Sequence, residues 1–139
     1  MESIERRSPI RARFILAGFE CPPSHVTALL GLEPDKAAEA GEVRQRQDGT
    51  THVVKDSYWE LAARTQSLCV EDYILELLDV VEPHGHKIDE VPGYTLRKFD
   101  VAVYVSNHQS NPSLSLEPGT MSRAAKLNVE IDVAFYHCV

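Results

Sequence analysis

Four stretches of this chain alternate apolar and polar residues with a period of two, and none is the continuous apolar run of a strand covered on both faces. Residues 11–18 set Ala12, Phe14 and Leu16 on one side and Arg11, Arg13 and Ile15 on the other. Residues 57–64 set Trp59, Leu61 and Ala63 opposite Tyr58, Glu60 and Arg64. Residues 94–106 group Phe99, Val101, Val103 and Val105, and residues 129–139 group Val129, Ile131, Val133 and Phe135. Strands with one apolar and one polar side call for a sheet whose helices lie on a single face.

Between these stretches the period becomes that of a helix. Val70, Ile74, Leu77, Leu78 and Val81 recur at i, i+4, i+7, i+8 and i+11, while Glu71, Asp72, Glu76 and Asp79 fall off the stripe. Ser67 is the expected N-cap and Pro83 the stop, and a Glu76→Ala change is expected to alter stability little. A shorter helix of about two turns begins at Pro22 and Pro23, uses Val26, Leu29 and Leu30, and ends at Gly31 in the left-handed C′ position. A third begins near Pro118, is expected to turn Met121, Ala124 and Ala125 inward, and stops at Asn128. Asp48-Gly49 marks a hairpin between residues 43–46 and 52–54, in a polar segment that reads as either a small ribbon or a loop.

The order β-α-(ββ)-β-α-β-(β)-α-β describes an α+β two-layer sandwich, with a mainly antiparallel sheet of four to six strands and three helices on one face. A ferredoxin-like outline is one arrangement that satisfies it, the strand order being left open. The 139 residues suffice for one domain with its own core, expected over residues 11–139 behind a disordered lead of residues 1–10. Trp59, the single tryptophan, is expected to anchor that core.

Charge narrows the partners. The net charge is −7 and the pI about 5.3, so neither nucleic acid nor an anionic membrane is expected as a partner. Arg6, Arg7, Arg11 and Arg13 form a basic exception, read as a solvated tail and a strand face. Cys21, Cys69 and Cys138 are odd in number and widely spaced, which favours reduced thiols over a disulfide framework. The start of the chain lacks the apolar core of a secretory signal, and no stretch approaches the ~20 apolar residues of a membrane span. A cytoplasmic protein is the expectation.

Residues 100–104 (D-V-A-V-Y) echo residues 132–136 (D-V-A-F-Y), and residues 30–34 (L-G-L-E-P) echo residues 114–118 (L-S-L-E-P). The second pair follows one helix and precedes another, so its copies are not equivalent. The first is accounted for by two strands of one sheet converging on the same pattern, with internal duplication as the alternative. The ordered set A-R-F-x-L-x-G (12–18), A-L-L-G-L-E-P (28–34), S-x-W-E-L (57–61), N-P-S-L-S-L (111–116) and I-D-V-A-F-Y (131–136) resembles the bacterial family catalogued as domain of unknown function 4279. The resemblance runs from about Ala12 to Tyr136 and rests on core and turn residues. It implies a small stand-alone bacterial α+β domain and carries no activity, cofactor or catalytic residue.

Signatures of catalysis are few. His84-Gly85-His86 is a dense histidine pair just after a helix, with no neighbouring ligands to complete a tetrahedral set, and reads as a solvated helix end. His25, His52, His108 and His137 are scattered and read as satisfied polar residues. Cys69 lies near a helix start, where a thiol can be activated, yet the reading preferred is a small buried residue. No P-loop, G-x-G-x-x-G or G-x-S-x-G occurs, and neither a cofactor nor a metal is expected.

The polar side of the sheet is the richest candidate. Counting by twos gathers Arg11, Arg13, Tyr58, Glu60, Arg64, Asp100, Tyr104, Glu130, Asp132 and Tyr136 there. Three readings stand open: a solvated face with cross-strand ion pairs, a protein interface, or a ligand or catalytic site. A second candidate is the locally basic segment with Lys36, Arg44, Arg46, His52 and Lys55, for which a plain charged loop is preferred. The expected function is a non-enzymatic protein-binding or interaction module of a bacterial cytoplasm, an immunity-type protein being one version. Its partner would be a second copy (a homodimer) or another protein. The alternative is a small hydrolase or isomerase using carboxylates of the open face.

Overall fold

In chain order the elements are β1 (Ile10–Ala17), α1 (Pro23–Leu30), β2 (Lys36–Ala38), β3 (Val43–Gln45), β4 (Thr51–Val53), β5 (Tyr58–Ala62), α2 (Val70–Val81), a 3-10 turn (Glu82–His84), α3 (Gly85–Ile88), β6 (Leu96–Ser106), α4 (Pro118–Leu127) and β7 (Glu130–Cys138). The structure is a computed structural model that describes residues 8–107 and 111–138, and Cys138 by its backbone alone. Of the lead expected over residues 1–10, residues 1–7 lie outside the described residues, as does His108. Ile10 belongs to β1 and is buried, because its side chain continues the row of Ala12, Phe14 and Leu16.

One mixed sheet of five strands in the order β2-β5-β1-β6-β7 carries the molecule, with β3 and β4 as a separate two-stranded ribbon. β1 pairs antiparallel with β5 and β6, β2 pairs antiparallel with β5, and β6 pairs parallel with β7. The sandwich is therefore α+β and mainly antiparallel. A ferredoxin-like outline is not what forms: α4 links β6 directly to its parallel neighbour β7, so no strand is inserted into that βαβ unit.

The core lies between the apolar side of the sheet and α1, α2 and α4. Phe14 sits opposite Leu61 on one flank and Phe99 on the other, and Leu16 opposite Trp59. Trp59 is fully buried, edge-on to Phe14 at 6.4 Å between centroids, and its indole Nε1–H donates to Thr27 Oγ1 at 3.0 Å. The polar tip is thus satisfied inside an apolar site, as a buried tryptophan requires. In α2, Val70, Ile74, Leu77, Leu78 and Val81 are buried as the periodicity predicts, and Tyr73 fills the i+3 position of the same stripe. Gly31 takes φ 71° and caps α1. Gly18 has φ 79°, and a Cβ there would lie 2.0 Å from Thr95 Oγ1, so the glycine closing the A-R-F-x-L-x-G pattern is required by a close approach.

Several local expectations are corrected. Ser67 is not the N-cap of α2. Cys69 is, and the Ser67 hydroxyl instead accepts from the Cys69 N–H at 2.9 Å and donates to Asp72 at 2.6 Å. Cys69 is exposed rather than buried, because the chain is still extended there, bridged to Ser113 before the stripe begins at Val70. α4 turns Thr120, Ala124 and Leu127 inward, leaving Met121 48% exposed and Ala125 exposed. That phase is set by Leu127, the larger apolar anchor at i+3 from Ala124, and by Glu71. Its carboxylate accepts from Glu117 N–H at 2.7 Å and Thr120 Oγ1 at 2.8 Å at the helix start. Phe135 is on the helix side by register with the buried Val103, yet 58% exposed, because β7 is the edge of the sheet.

The polar segment settles as a ribbon. Val43 pairs with Val53, Gly49 takes φ 90°, and Asp48 Oδ1 accepts from the N–H and hydroxyl of Thr50 at 2.9 and 2.6 Å. Its base is joined to the sheet through Gly41 N–H to Val54 C=O at 2.8 Å and Ala40 N–H to Ser57 Oγ at 2.9 Å. Ser57, first residue of the S-x-W-E-L pattern, is buried because it makes this junction.

Candidate functional site

Strand register decides which of the polar residues meet. On β1, Arg13 lies opposite Asp100 of β6, while Ile15 lies between Glu60 of β5 and Lys98 of β6. On the parallel pair, Asp100 is in register with Asp132 and Tyr104 with Tyr136. The echo of residues 100–104 in residues 132–136 is therefore a spatial pairing, each residue beside its own counterpart. Because the two parallel strands carry the same pattern in register, two aspartates are forced together and require a cation to hold them.

Lys98 is that cation, and counting by twos along β6 puts it on this face, although it is absent from the sequence candidates. Its ammonium lies 3.0 Å from Asp132 and 3.6 Å from Asp100. Arg13 lies 3.2 Å from Asp100 and 2.9 Å from Glu60. The result is a row of alternating charge, Glu60–Arg13–Asp100–Lys98–Asp132, crossing four strands. The hydrogen bond to Asp132 does most to raise the Lys98 pKa, with Asp100 and Glu130 adding and burial opposing. Burial alone would lower the Arg13 pKa, but Glu60 and Asp100 outweigh it and hold it above the ordinary value. Ile15, flanked in register by Glu60 and Lys98, is buried on this otherwise polar face.

Beside the row is an aromatic step. Tyr104 and Tyr136 stack at 5.3 Å between centroids and 23° between planes, and the Arg11 guanidinium lies 5.9 Å from the Tyr104 centroid. The face is concave towards the β1–β5 end, where a cavity of about 690 Å³ brings together Arg11, Arg13, Glu60, Arg64, Asp100, Tyr104 and Tyr136. Tyr58, Glu130 and Asp132 share the side of the sheet but do not line the cavity. Arg64 lies past the end of β5, at the rim, held by Asp35 at 2.8 Å.

Two carboxylates that hold the chain beside the cavity, Asp35 in its lining and Glu76 bonded to Arg64 and Thr65, had no signal in the pattern. Asp35 accepts from Ala62 N–H at 2.7 Å as well as from Arg64, and these bonds, the backbone one first, hold its carboxyl below the ordinary range against burial. Glu76 accepts from the N–H groups of Arg64 and Thr65 and from the Thr65 hydroxyl at 2.5 Å. Burial alone would raise its pKa; these bonds reverse that and lower it. Lys36 of the basic segment also lines the cavity, whereas Arg44 is paired with Glu42 at 2.9 Å on the ribbon. His52 departs from the expectation of a satisfied histidine, since its Nδ1 is buried with no hydrogen-bond partner among the described residues. Among the described residues no group of three or more His, Cys, Asp or Glu side chains is placed to hold a metal ion, and no helix is long and apolar enough to cross a membrane.

On the opposite side, Arg97 is the buried charge that the alternation did conceal. Its side chain is 3% exposed, on the apolar side of β6 opposite Leu16. It donates to Leu127 C=O at 2.5 Å at the end of α4, to Asp89 at 2.6 Å and to the Tyr94 hydroxyl, and lies 4.8 Å from the Tyr94 ring centroid. It closes a helix end whose carbonyls have no partner within the helix.

No curated protein and no solved structure matches the chain. A family model does, over residues 8–137, the span that contains the whole sheet up to Tyr136 and all the rim residues. By that match the chain belongs to the family described as Domain of unknown function (DUF4279).

Proposed function

We propose that the chain is a non-enzymatic protein-binding module of a bacterial cytoplasm that takes its partner on the open sheet face. The observation that carries this reading is the stacked Arg11–Tyr104–Tyr136 step beside a charge row in which every carboxylate already has a cation partner. Tyrosine and arginine are the contact types that protein interfaces favour, and Tyr136 is half exposed at the mouth of the cavity. The net charge of −7 supports long-range attraction to a basic partner, the immunity-type version of this function. A second copy seated on the same face is the other partner the reading admits. The hydrolase or isomerase alternative has less support. Glu60, Asp100 and Asp132 each have a cation within 3.6 Å, and Asp132 lies outside the cavity.

The test is affinity capture by the tagged full chain from cells that express it, with Arg11→Glu and Tyr136→Ala as comparisons. A protein partner retained by the wild type and lost from both variants, each with its thermal melt preserved, is the expected result. A partner retained equally by all three chains would refute the assignment to this face. Sedimentation of the purified wild type with its captured partner separates self-association from a heterologous complex.

A further inference from the structure

The two edges of the main sheet differ sharply. β2 is three residues long, carries Lys36 and runs into the junction with the ribbon, devices that discourage strand addition. β7 is nine residues long and contains neither lysine nor proline, and among the described residues no strand pairs with its outer side. Its acidic residues, Glu130 and Asp132, are confined to its first half. Its second half presents Phe135, 58% exposed on the helix side, and Tyr136, 50% exposed on the open side. An unprotected apolar edge of this kind is a template for another strand.

We propose that β7 pairs with β7 of a second copy, antiparallel about a two-fold axis at Ala134, joining the two five-stranded sheets into one. The strand is complementary to itself in that register. Phe135 falls opposite the second copy's Val133, and the reverse, so two apolar pairs form on the helix side. On the open side Tyr136 falls opposite the second copy's Asp132, placing a hydroxyl donor across from a carboxylate. Glu130 falls opposite position 138. No carboxylate faces a carboxylate, whereas an axis at Ile131 or Asp132 would set Glu130 or Asp132 against its own kind. Charge therefore selects the second half of the strand as the contact. This pairing is made along the edge of β7 and engages, of the residues lining the cavity, Tyr136 alone, and its register does not rest on the partner proposed for the face.

The register is tested directly by cross-linking. A full-length chain with Cys21, Cys69 and Cys138 changed to serine and carrying Ala134→Cys places the new thiol opposite itself across the axis. Mild oxidation is expected to give a covalent dimer, while Arg46→Cys in the same background, on the exposed ribbon, stays monomeric. In sedimentation the wild type is expected to dimerise, and Phe135→Lys to weaken dimerisation by at least about tenfold while remaining folded by circular dichroism. Tyr136→Lys, which puts an ammonium opposite the second copy's Asp132, is expected to preserve the dimer. A wild type that sediments as a monomer overturns the proposal, as does a dimer that Phe135→Lys leaves intact or that Ala134→Cys fails to cross-link.

Discussion

Single residues off the apolar stripes carry more of this structure than their exposure suggests. Glu76 is the clearest case. Its place beside the α2 stripe predicts a nearly silent substitution, yet it holds the chain leaving β5 through two backbone N–H groups and a hydroxyl. Glu76→Ala is accordingly expected to lose about 1–2 kcal/mol, the scale of a lost cap, in urea denaturation. The pH dependence has a definite sign. The folded carboxyl is lowered from 4.5, so its contribution is complete above that pH and is lost as pH falls through the lower, folded value. Glu76→Gln should therefore flatten the acid limb of stability against pH and leave the limb above neutrality unchanged. An acid limb identical to wild type would show that the carboxylate contributes nothing as an ion. Arg97 shows the converse, since alternation places it inward and only its partners at Leu127, Asp89 and Tyr94 make that position tolerable.

At the scale of elements, periodicity predicts well where one residue type dominates the stripe and poorly where it is mixed. α2 has large aliphatic residues at five core positions, so its face is unambiguous. α4 has a short sequence of small and polar residues, and two faces compete: Met121 with Ala125, or Thr120 with Ala124 and Leu127. The second is buried because Leu127 reaches the core and Glu71 secures Thr120. Leu127→Ala should cost about 2–4 kcal/mol, whereas Met121→Ala should stay within about 0.5 kcal/mol. Chemical denaturation of the two variants side by side checks this, and equal losses would mean the helix is phased the other way.

For the whole molecule, the charge row ties four strands together across the surface opposite the core. Each pair is partly exposed and worth under about 1 kcal/mol alone, but Arg13 serves Glu60 and Asp100, and Lys98 serves Asp132 and the same Asp100. Arg13→Ala removes two pairs and leaves Glu60 and Asp100 without the cation between them. The expected loss is about 1–2 kcal/mol at low salt, shrinking in about 1 M salt where the screening length is roughly 3 Å. Denaturation at the two ionic strengths measures it, and a loss independent of salt would assign the effect to packing of the arginine stem. The row also shapes the candidate face, because it pairs Glu60, Asp100 and Asp132 with cations beside the stacked tyrosines.

Whatever depends on backbone geometry alone was legible in the sequence. Side chains alternate across a strand, so the sharing of one face by Arg13, Glu60, Asp100, Tyr104, Asp132 and Tyr136 follows from counting, as do the α2 stripe and the Asp48-Gly49 hairpin. The family resemblance was legible in the same way, through core and turn residues in their order. Which strands are neighbours was not, because pairing is decided by contacts between residues far apart in the chain. Only the adjacency of β6 and β7 turns a repeated D-V-A-x-Y into two aspartates around Lys98 and two stacked tyrosines. Only the position of β7 at the edge leaves Phe135 exposed on a side where alternation alone predicts burial.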